Sequence, residues 1–211
     1  MRRQPGIVTG ALLAGVLAGC GGGGTGSAHD PRAQAHLSQR VQQGSPHLPD
    51  GFADRPEQAW QMPFTKGDAD CRALLEPVGG QAPGEALTAQ VAVSYRGFDL
   101  GEQAGVGLAR YADEQAEGHL EALAEAMRSC RAVRTATGTD LRLRELPIGR
   151  VGDETLGARL RGRLNGYPYA LDLVLTRVGD TLVSVVHTGL PDVDHGRTRE
   201  VVDAAVSMAS A

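Results

Sequence analysis

Apolar and polar residues alternate with a period of two in several stretches after residue 86. The clearest stretch is ALTAQVAVSY, which places apolar or aromatic side chains at every second position: Leu87, Ala89, Val91, Val93 and Tyr95. This alternation is typical of a strand with one buried face. A second strand is predicted over residues 104–111, and four more in LRLREL, ETLGARLRGRL, YPYALDLVLTRV and TLVSVVHTG. The pattern therefore predicts about six strands.

Helical spacing takes over in three other segments. The longest is DEQAEGHLEALAEAMRSC, whose apolar positions recur every three or four residues and end at Cys130, while its glutamates occupy the remaining positions. A shorter helix is predicted in DADCRALLEPV, where aspartates can cap the first turn. A terminal helix is predicted over residues 197–209. We interpret the acidic positions of the long helix as a solvated surface.

Two short turns predict how the last strands pair. Asn165-Gly166 is a strong signal for a type I′ hairpin turn, and Gly179-Asp180 is a weaker one. With two-residue loops, the predicted partners are Leu160 with Leu171, Ala158 with Leu173, Leu164 with Tyr167, Arg159 with Asp172, and Asp172 with His187. Because tight turns join neighbouring strands, we expect an antiparallel sheet with helices packed on it, an α+β domain.

The N-terminus reads as an export signal. After MRRQPG comes an uncharged segment of about 13 residues, too short to cross a bilayer as a helix. The residues Leu17-Ala18-Gly19-Cys20 match the lipobox of bacterial lipoprotein signals. This resemblance implies removal of residues 1–19 and attachment of acyl chains, palmitate among them, at Cys20. The alternative is an ordinary secretory signal with an incidental cysteine.

Composition indicates the domain limits, the class of partner and the kind of source organism. Residues 20–50 begin with glycine and serine and are predicted to form a flexible tether containing a weak helix, and residues 51–211 are the size of one domain. Loss of Arg2 and Arg3 with the signal would shift the net charge from −4 to about −6, which argues against a nucleic-acid partner. Lys66 is the single lysine among 21 basic residues, a bias that suggests a G+C-rich genome such as that of an actinobacterium.

Cys71 and Cys130 are the two cysteines outside the lipobox. An even pair in an exported chain predicts a disulfide, because such bonds persist in oxidising compartments. The alternative is two unpaired buried thiols. Because the sequence contains no CxxC pair, we interpret the bond as structural and not redox-active.

Motifs that would indicate catalysis are missing from the sequence. It contains no GxSxG, no HExxH and no Walker loop, and we predict neither an enzyme nor a bound cofactor or metal. The cluster in LPDVDHG lacks the ligand number and spacing of a calcium loop and is interpreted as a surface turn.

One polar strand face is the candidate ligand site. It carries Arg159, Arg161 and Arg163, with Arg142 and Arg144 on the preceding strand. Guanidinium groups bind carboxylates and phosphates bidentately, so we expect an anionic small molecule or envelope component as ligand. The alternative is a solvated face on which Arg159 pairs with Asp172. Asp172 and His187 are also candidate site residues: His187 lies beside Asp172 in the predicted register, and we expect this carboxylate to raise its pKa and to add pH sensitivity.

Several motifs, in order, resemble a known family. LPDGF, DCRALLEPV, AQVAVSY, MRSC, LPIGRVGDETLGARL and DLVLTRVGDTLVSV together cover most of residues 48–211. They resemble the lipid-anchored sensor-domain proteins of actinobacteria, which are similar to the extracellular domain of the PknH-like receptor serine/threonine kinases. The sequence departs from that domain in having one candidate disulfide instead of two.

This resemblance implies an α+β fold with a cleft on the sheet, and a non-catalytic ligand-binding or sensor role at the outer face of the cell membrane. A second hypothesis is a lipid carrier or envelope-assembly factor, which would need a large apolar cavity. A hydrolase is the third, and it would need a nucleophile within about 3 Å of a base.

Overall fold

A computed structural model of the chain describes residues 29–44, 48–64 and 68–210. The predicted signal segment and Cys20 lie outside these residues. The helices are α1 (Pro31–Gly44), α2 (Ala69–Leu75), α3 (Gln115–Ser129) and α4 (His195–Ser210), and a 3-10 turn (Glu76–Gly79) follows α2. The strands are β1 (Leu87–Arg96), β2 (Gln103–Tyr111), β3 (Ala132–Arg134), β4 (Asp140–Glu145), β5 (Glu154–Leu164), β6 (Tyr167–Val178) and β7 (Thr181–Gly189). None of these helices has the length and apolar character needed to cross a membrane.

The strands form one antiparallel sheet in the order β1-β2-β7-β6-β5-β4-β3. The predicted α+β class is confirmed, with seven strands in place of about six. The additional strand is β3, whose three residues are too few to show an alternating pattern. The turn between β5 and β6 has the predicted left-handed backbone at Asn165 (φ 51°) and Gly166 (φ 88°). All five predicted residue pairs in β5, β6 and β7 are confirmed.

The two faces of the sheet pack against different helices. Alternate residues of β6 such as Leu171 and Leu173 face a core that includes α2 and α3. Residues that alternate with them along the strand, such as Val174, face a second core that includes α1 and α4. Burial of the apolar side chains of both cores away from water is the main driving force for this arrangement. Contacts of α1 and α4 with the sheet reach β1, β2, β6 and β7, so the same side of β4 and β5 is left open.

Helix α1 belongs to the folded part of the chain. Ala33, Leu37 and Val41 lie one helical turn apart and are all buried in the second core. The structured part therefore begins before the predicted domain boundary at Gly51. A helix with so few apolar residues is stable here because tertiary packing supplies what its own sequence does not.

Residues 30–44 and 48–57 also cover the outer edge of β1. The side-chain amide of Gln34 donates to the carbonyl of Gln90 (2.8 Å) and accepts from its N–H (3.1 Å), as a neighbouring strand would. Three more β1 carbonyls accept backbone N–H groups, in the pairs Asp30 to Thr88 (2.9 Å), Ala53 to Arg96 (2.8 Å) and Glu57 to Ser94 (2.7 Å). This cover prevents another chain from adding to the β1 edge.

The predicted disulfide between Cys71 and Cys130 is confirmed. It links α2 to the residue that follows α3, and both cysteines are buried in the first core. The bond therefore fixes the helix pair that covers one face of the sheet.

We expect that replacing both cysteines, Cys71→Ser with Cys130→Ser, lowers the free energy of unfolding by about 4 kcal/mol, because the bond closes a loop of about 60 residues in the unfolded chain. Urea unfolding of the oxidised wild type and of the double variant measures the difference. A difference below about 1 kcal/mol would show that the bond contributes little to stability.

Candidate functional site

Five arginines lie on the open side of β4 and β5, and we call them the arginine surface: Arg142, Arg144, Arg159, Arg161 and Arg163. Pairing of the two strands places Arg142 directly opposite Arg161, and Arg144 directly opposite Arg159. Side chains opposite each other in a sheet have Cβ atoms about 5 Å apart, and like charges at that distance destabilise the pair. A bound anion would relieve this repulsion.

Acidic residues neutralise part of the arginine surface. Nη2 of Arg159 donates to Oδ2 of Asp172 at 2.8 Å, and Nη2 of Arg161 lies 2.8 Å from Oδ2 of Asp192. Arg163 donates to the carbonyl of Gly166, also at 2.8 Å.

Three of the five arginines have no ion-pair partner in the described part of the chain, and of these Arg163 is held by the neutral carbonyl of Gly166. Arg142 and Arg144 are exposed and have no ion-pair partner among residues 29–44, 48–64 and 68–210. Their guanidinium groups are therefore available to an anion from solution.

A buried chain of polar groups runs from the arginine surface beneath the first turn of α4. Its members are Arg159, Asp172, Thr198, His187, Glu102 and Arg197, and we call it the buried network. The Thr198 hydroxyl lies 2.9 Å from Oδ2 of Asp172 and 2.9 Å from Nδ1 of His187. Nε2 of His187 lies 3.3 Å from Oε1 of Glu102, which also accepts from Nε of Arg197 at 2.9 Å. The network thus ties α4 to β5, β6, β7 and the start of β2.

The pKa of His187 differs from the sequence-based expectation. Burial lowers it, and this effect exceeds those of Glu102 and Asp172, which raise it. The expected raised pKa is therefore wrong, because the alternation of the strand did not show that α4 would bury the imidazole. For Glu102, burial favours a higher pKa, but hydrogen bonds from the Asp99 backbone, Arg197 and His187 outweigh it and lower the pKa.

The distance between Thr198 and His187 is that of a nucleophile and its base. Thr198 is 0% exposed and His187 is 1% exposed, so a substrate has no access to either group. The hydroxyl is also held by Asp172. This pair therefore does not support the hydrolase hypothesis, and its role is to connect charged groups inside the fold.

A cleft of about 670 Å³ lies between the second half of α3 and residues 146–150, beside the outer edge of β4. Met127, Leu143 and Leu156 give it partly buried apolar surface. Exposed charged residues of both signs also line it: Arg128, Arg131, Arg150, Glu145 and Glu154. The sequence alone did not locate this cleft, because its walls come from segments far apart along the chain.

Comparisons with known proteins show similarity at the level of fold. The crystal structure of the extracellular domain of PknH from Mycobacterium tuberculosis has a TM-score of 0.54 and 12% sequence identity, over 85% of this chain and 97% of that one. The X-ray structure of a Mycobacterium smegmatis protein, an ortholog of Rv0999, has a TM-score of 0.48 and 17% identity, over 84% and 96%. The similarity to the PknH domain confirms the expected fold. No protein-family model matches the chain, and a search of curated proteins finds no match.

We expect Thr198→Val to lower the free energy of unfolding by about 1–3 kcal/mol, because it leaves the buried Asp172 carboxylate and His187 ring without the shared hydroxyl. Thr198→Ser is the matched control, since it keeps the hydroxyl and loses one methyl group. Urea unfolding measures both variants. Equal losses in the two would mean that packing, and not the hydroxyl, stabilises this position.

Stability should fall as the pH drops below about 6.5, the ordinary pKa of histidine. Because the folded-state pKa of His187 is lowered, the unfolded chain binds protons more readily in the window from about 6.5 down to that lowered pKa. Glu102, whose folded pKa is also lowered, should add a further loss below about 4.5. Urea unfolding between pH 7.5 and 5 measures the first step.

The variant His187→Gln should lose this first step, because glutamine does not titrate. His36→Gln, which replaces an exposed histidine of α1, should keep the wild-type pH dependence. If His187→Gln shows the same slope as the wild type, another group is responsible.

Proposed function

We propose that the chain is a membrane-anchored, extracytoplasmic module that binds or senses an anionic component of the cell envelope and has no catalytic activity. The observation that carries this proposal is the opposed arginine pairs of β4 and β5, in which Arg142 and Arg144 have no ion-pair partner in the described part of the chain. Cations kept close together without compensation are suited to a ligand of opposite charge.

The proposed location rests on three features of the chain. The lipobox at residues 17–20 supports a lipid anchor on Cys20, with the membrane as its partner. The disulfide between Cys71 and Cys130 is typical of an oxidising compartment. The fold is similar to a domain that, in PknH, is extracellular. Together they favour the outer face of the cell membrane.

Asp192 illustrates how an anion would be held on the arginine surface. Its carboxylate lies 3.6 Å from Nη1 of Arg159 and 2.8 Å from Nη2 of Arg161, so one acidic group contacts two arginines at once. A ligand carboxylate or phosphate could contact Arg142 and Arg161 in the same manner, because these residues lie directly opposite each other. The ligand class is therefore an oxygen anion, a carboxylate or a phosphate.

The lipid-carrier hypothesis receives less support. A carrier must shield an acyl chain from water, which requires a closed and mainly apolar cavity. The cleft beside α3 has an apolar patch, but exposed charges such as Arg131 and Glu154 also line it. Such a lining suits a ligand with polar groups along its length.

We expect the double variant Arg142→Ala with Arg161→Ala to bind inorganic pyrophosphate at least about tenfold more weakly than the wild type, because it removes one opposed pair of guanidinium groups. Isothermal titration calorimetry at low salt measures the affinity. The melting temperature should stay the same or rise, since two like charges opposite each other are removed.

The matched control is Arg32→Ala with Arg55→Ala, which removes the same charge from two exposed arginines outside the surface. This control should keep the wild-type affinity. An equal loss in both double variants would reduce the effect to net charge, and absence of binding to the wild type would contradict the proposed ligand class.

A further inference from the structure

Three large apolar side chains of the described residues are strongly exposed, and all three lie at one end of the sheet. Phe98 is 81% exposed and Leu100 is 78% exposed, both in the loop between β1 and β2. Tyr167, which is 73% exposed, begins β6 at the same end. Single exposed apolar residues are common on protein surfaces, whereas several gathered in one region indicate an interaction site.

The loop between β1 and β2 is held in place by the rest of the fold. The N–H of Phe98 donates to the carbonyl of Gly51 (2.9 Å), and the carbonyl of Leu100 accepts from the N–H of Leu190 (3.1 Å). These bonds fix the loop backbone before any partner binds. A preformed loop loses less conformational entropy on binding than a mobile one.

A pocket of about 240 Å³ opens beside Leu100, between this loop, residues 187–194 and the first turn of α4. Leu190 and Val193 contribute apolar surface to its wall. Typical sites for small molecules have volumes of roughly 300–1,000 Å³. The smaller volume of this pocket suits one side chain of a larger partner.

Four acids and one arginine supply the charged side chains that line the pocket: Asp99, Glu102, Asp192, Asp194 and Arg197. Glu102 pairs with Arg197 (2.9 Å), and Asp192 pairs with Arg161 (2.8 Å). Asp99 and Asp194 have no ion-pair partner among residues 29–44, 48–64 and 68–210. A hydrogen bond from the backbone N–H of Arg197 lowers the pKa of Asp194 and so keeps this carboxylate charged. The pocket therefore favours a positively charged side chain.

We propose that this pocket and the loop form an interface for a protein partner, which inserts one basic side chain into the pocket and packs flanking apolar residues on Phe98 and Leu100. Burial of the apolar side chains supplies affinity. The free carboxylates select the partner, because an acidic or neutral residue at the central position gains nothing from them. Arginine and large apolar residues are frequent anchors of protein interfaces.

The position of this loop favours a protein over the membrane as its partner. Asp30 donates to the carbonyl of Thr88 at the start of β1, whereas the loop follows the end of this strand, which has 10 residues and is about 33 Å long. If Cys20 carries the proposed lipid, the chain from there to Asp30 spans at most about 35 Å, so the domain is held by the opposite end. Free carboxylates are also repelled by anionic lipids.

This interface is separate from the proposed anion site. It depends on the acids and apolar side chains beside the loop between β1 and β2, and not on the opposed arginine pairs of β4 and β5. A basic peptide and pyrophosphate carry opposite charges, so each proposal can fail while the other holds.

The probe is the acetylated and amidated pentapeptide Ser-Leu-Arg-Leu-Ser, added to the isotope-labelled full chain in micelles of a non-ionic detergent. In NMR spectra, the amide signals of residues 98–101 should shift on titration, and those of residues 142–145 on the arginine surface should not. The titration gives the affinity. Unchanged signals of residues 98–101 at millimolar peptide would overturn the proposal.

Citrulline in place of the peptide arginine is the matched control, because it keeps the size and shape of the side chain and removes its charge. The citrulline peptide should bind about fivefold or more weakly. It also controls for partition of the leucines into the micelles. Equal affinities of the two peptides would contradict the proposed role of the carboxylates.

Protein variants test the same pairing from the other side. Asp99→Asn should weaken the arginine peptide about threefold or more and leave the affinity of the citrulline peptide within about twofold. Glu121→Gln, which removes the same charge from an exposed position of α3, should keep the wild-type affinity for both peptides. Leu100→Ser should weaken both peptides, because it removes their apolar contact. Equal losses for the two peptides in Asp99→Asn would show that this carboxylate does not pair with the arginine.

Contact between the loop and the membrane is the competing outcome. The variant Phe98→Trp, reconstituted in vesicles that contain brominated phosphatidylcholine, reports it, because bromine quenches the fluorescence of a nearby indole. We expect no more quenching than in the wild type, whose single tryptophan, Trp60, is buried. Additional quenching in the variant would assign the loop to the membrane and overturn the proposal.

Discussion

The carboxylate of Asp172 is a fully buried charge, and much of the structure depends on keeping it compensated. An ion inside a protein is strongly destabilising unless a partner of opposite charge and hydrogen-bond donors accompany it. Arg159 supplies the charge from β5, and the Thr198 hydroxyl lies within hydrogen-bonding distance at the start of α4. Because these two groups lie on different elements, they hold the first turn of α4 against this part of the sheet. This polar constraint adds to the apolar side chains that pack α4 on β6 and β7.

Where α4 lies determines which part of the sheet remains open. Helices α1 and α4 cover β1, β2, β7 and β6, so β4 and β5 expose on that side the residues that alternate with their core positions. Five of those residues are arginines, and the strand register places four of them opposite each other in two pairs. The arginine surface is therefore a place where the sheet is wider than the helices that cover it.

Short sequence patterns predicted the strands, the hairpin turn and the strand register, because these depend on residues close together in the chain. The period of two in β1, β5 and β6, and the Asn165-Gly166 turn, were enough to give the register that pairs Arg159 with Asp172. Features that depend on tertiary packing could not be predicted from the sequence. The burial of α1 rests on a few apolar residues whose contacts lie far along the chain. The lowered pKa of His187 follows from the cover that α4 provides, which no alternation of residues on β7 can show.

The same burial limits what Arg159 can do at the arginine surface. If an incoming anion drew Arg159 away from Asp172, a buried carboxylate would lose its partner, a change that typically destabilises a protein by about 3–5 kcal/mol. A moderately tight ligand gains too little from one further contact to offset that loss. In the proposed anion site, Arg159 would therefore contribute its positive charge at a fixed position, while the exposed Arg142, Arg144 and Arg161 would form the direct contacts. An anion site of this kind has one rigid cation at its inner end and adjustable ones around it, which favours ligands whose charge can approach Arg159 without replacing Asp172.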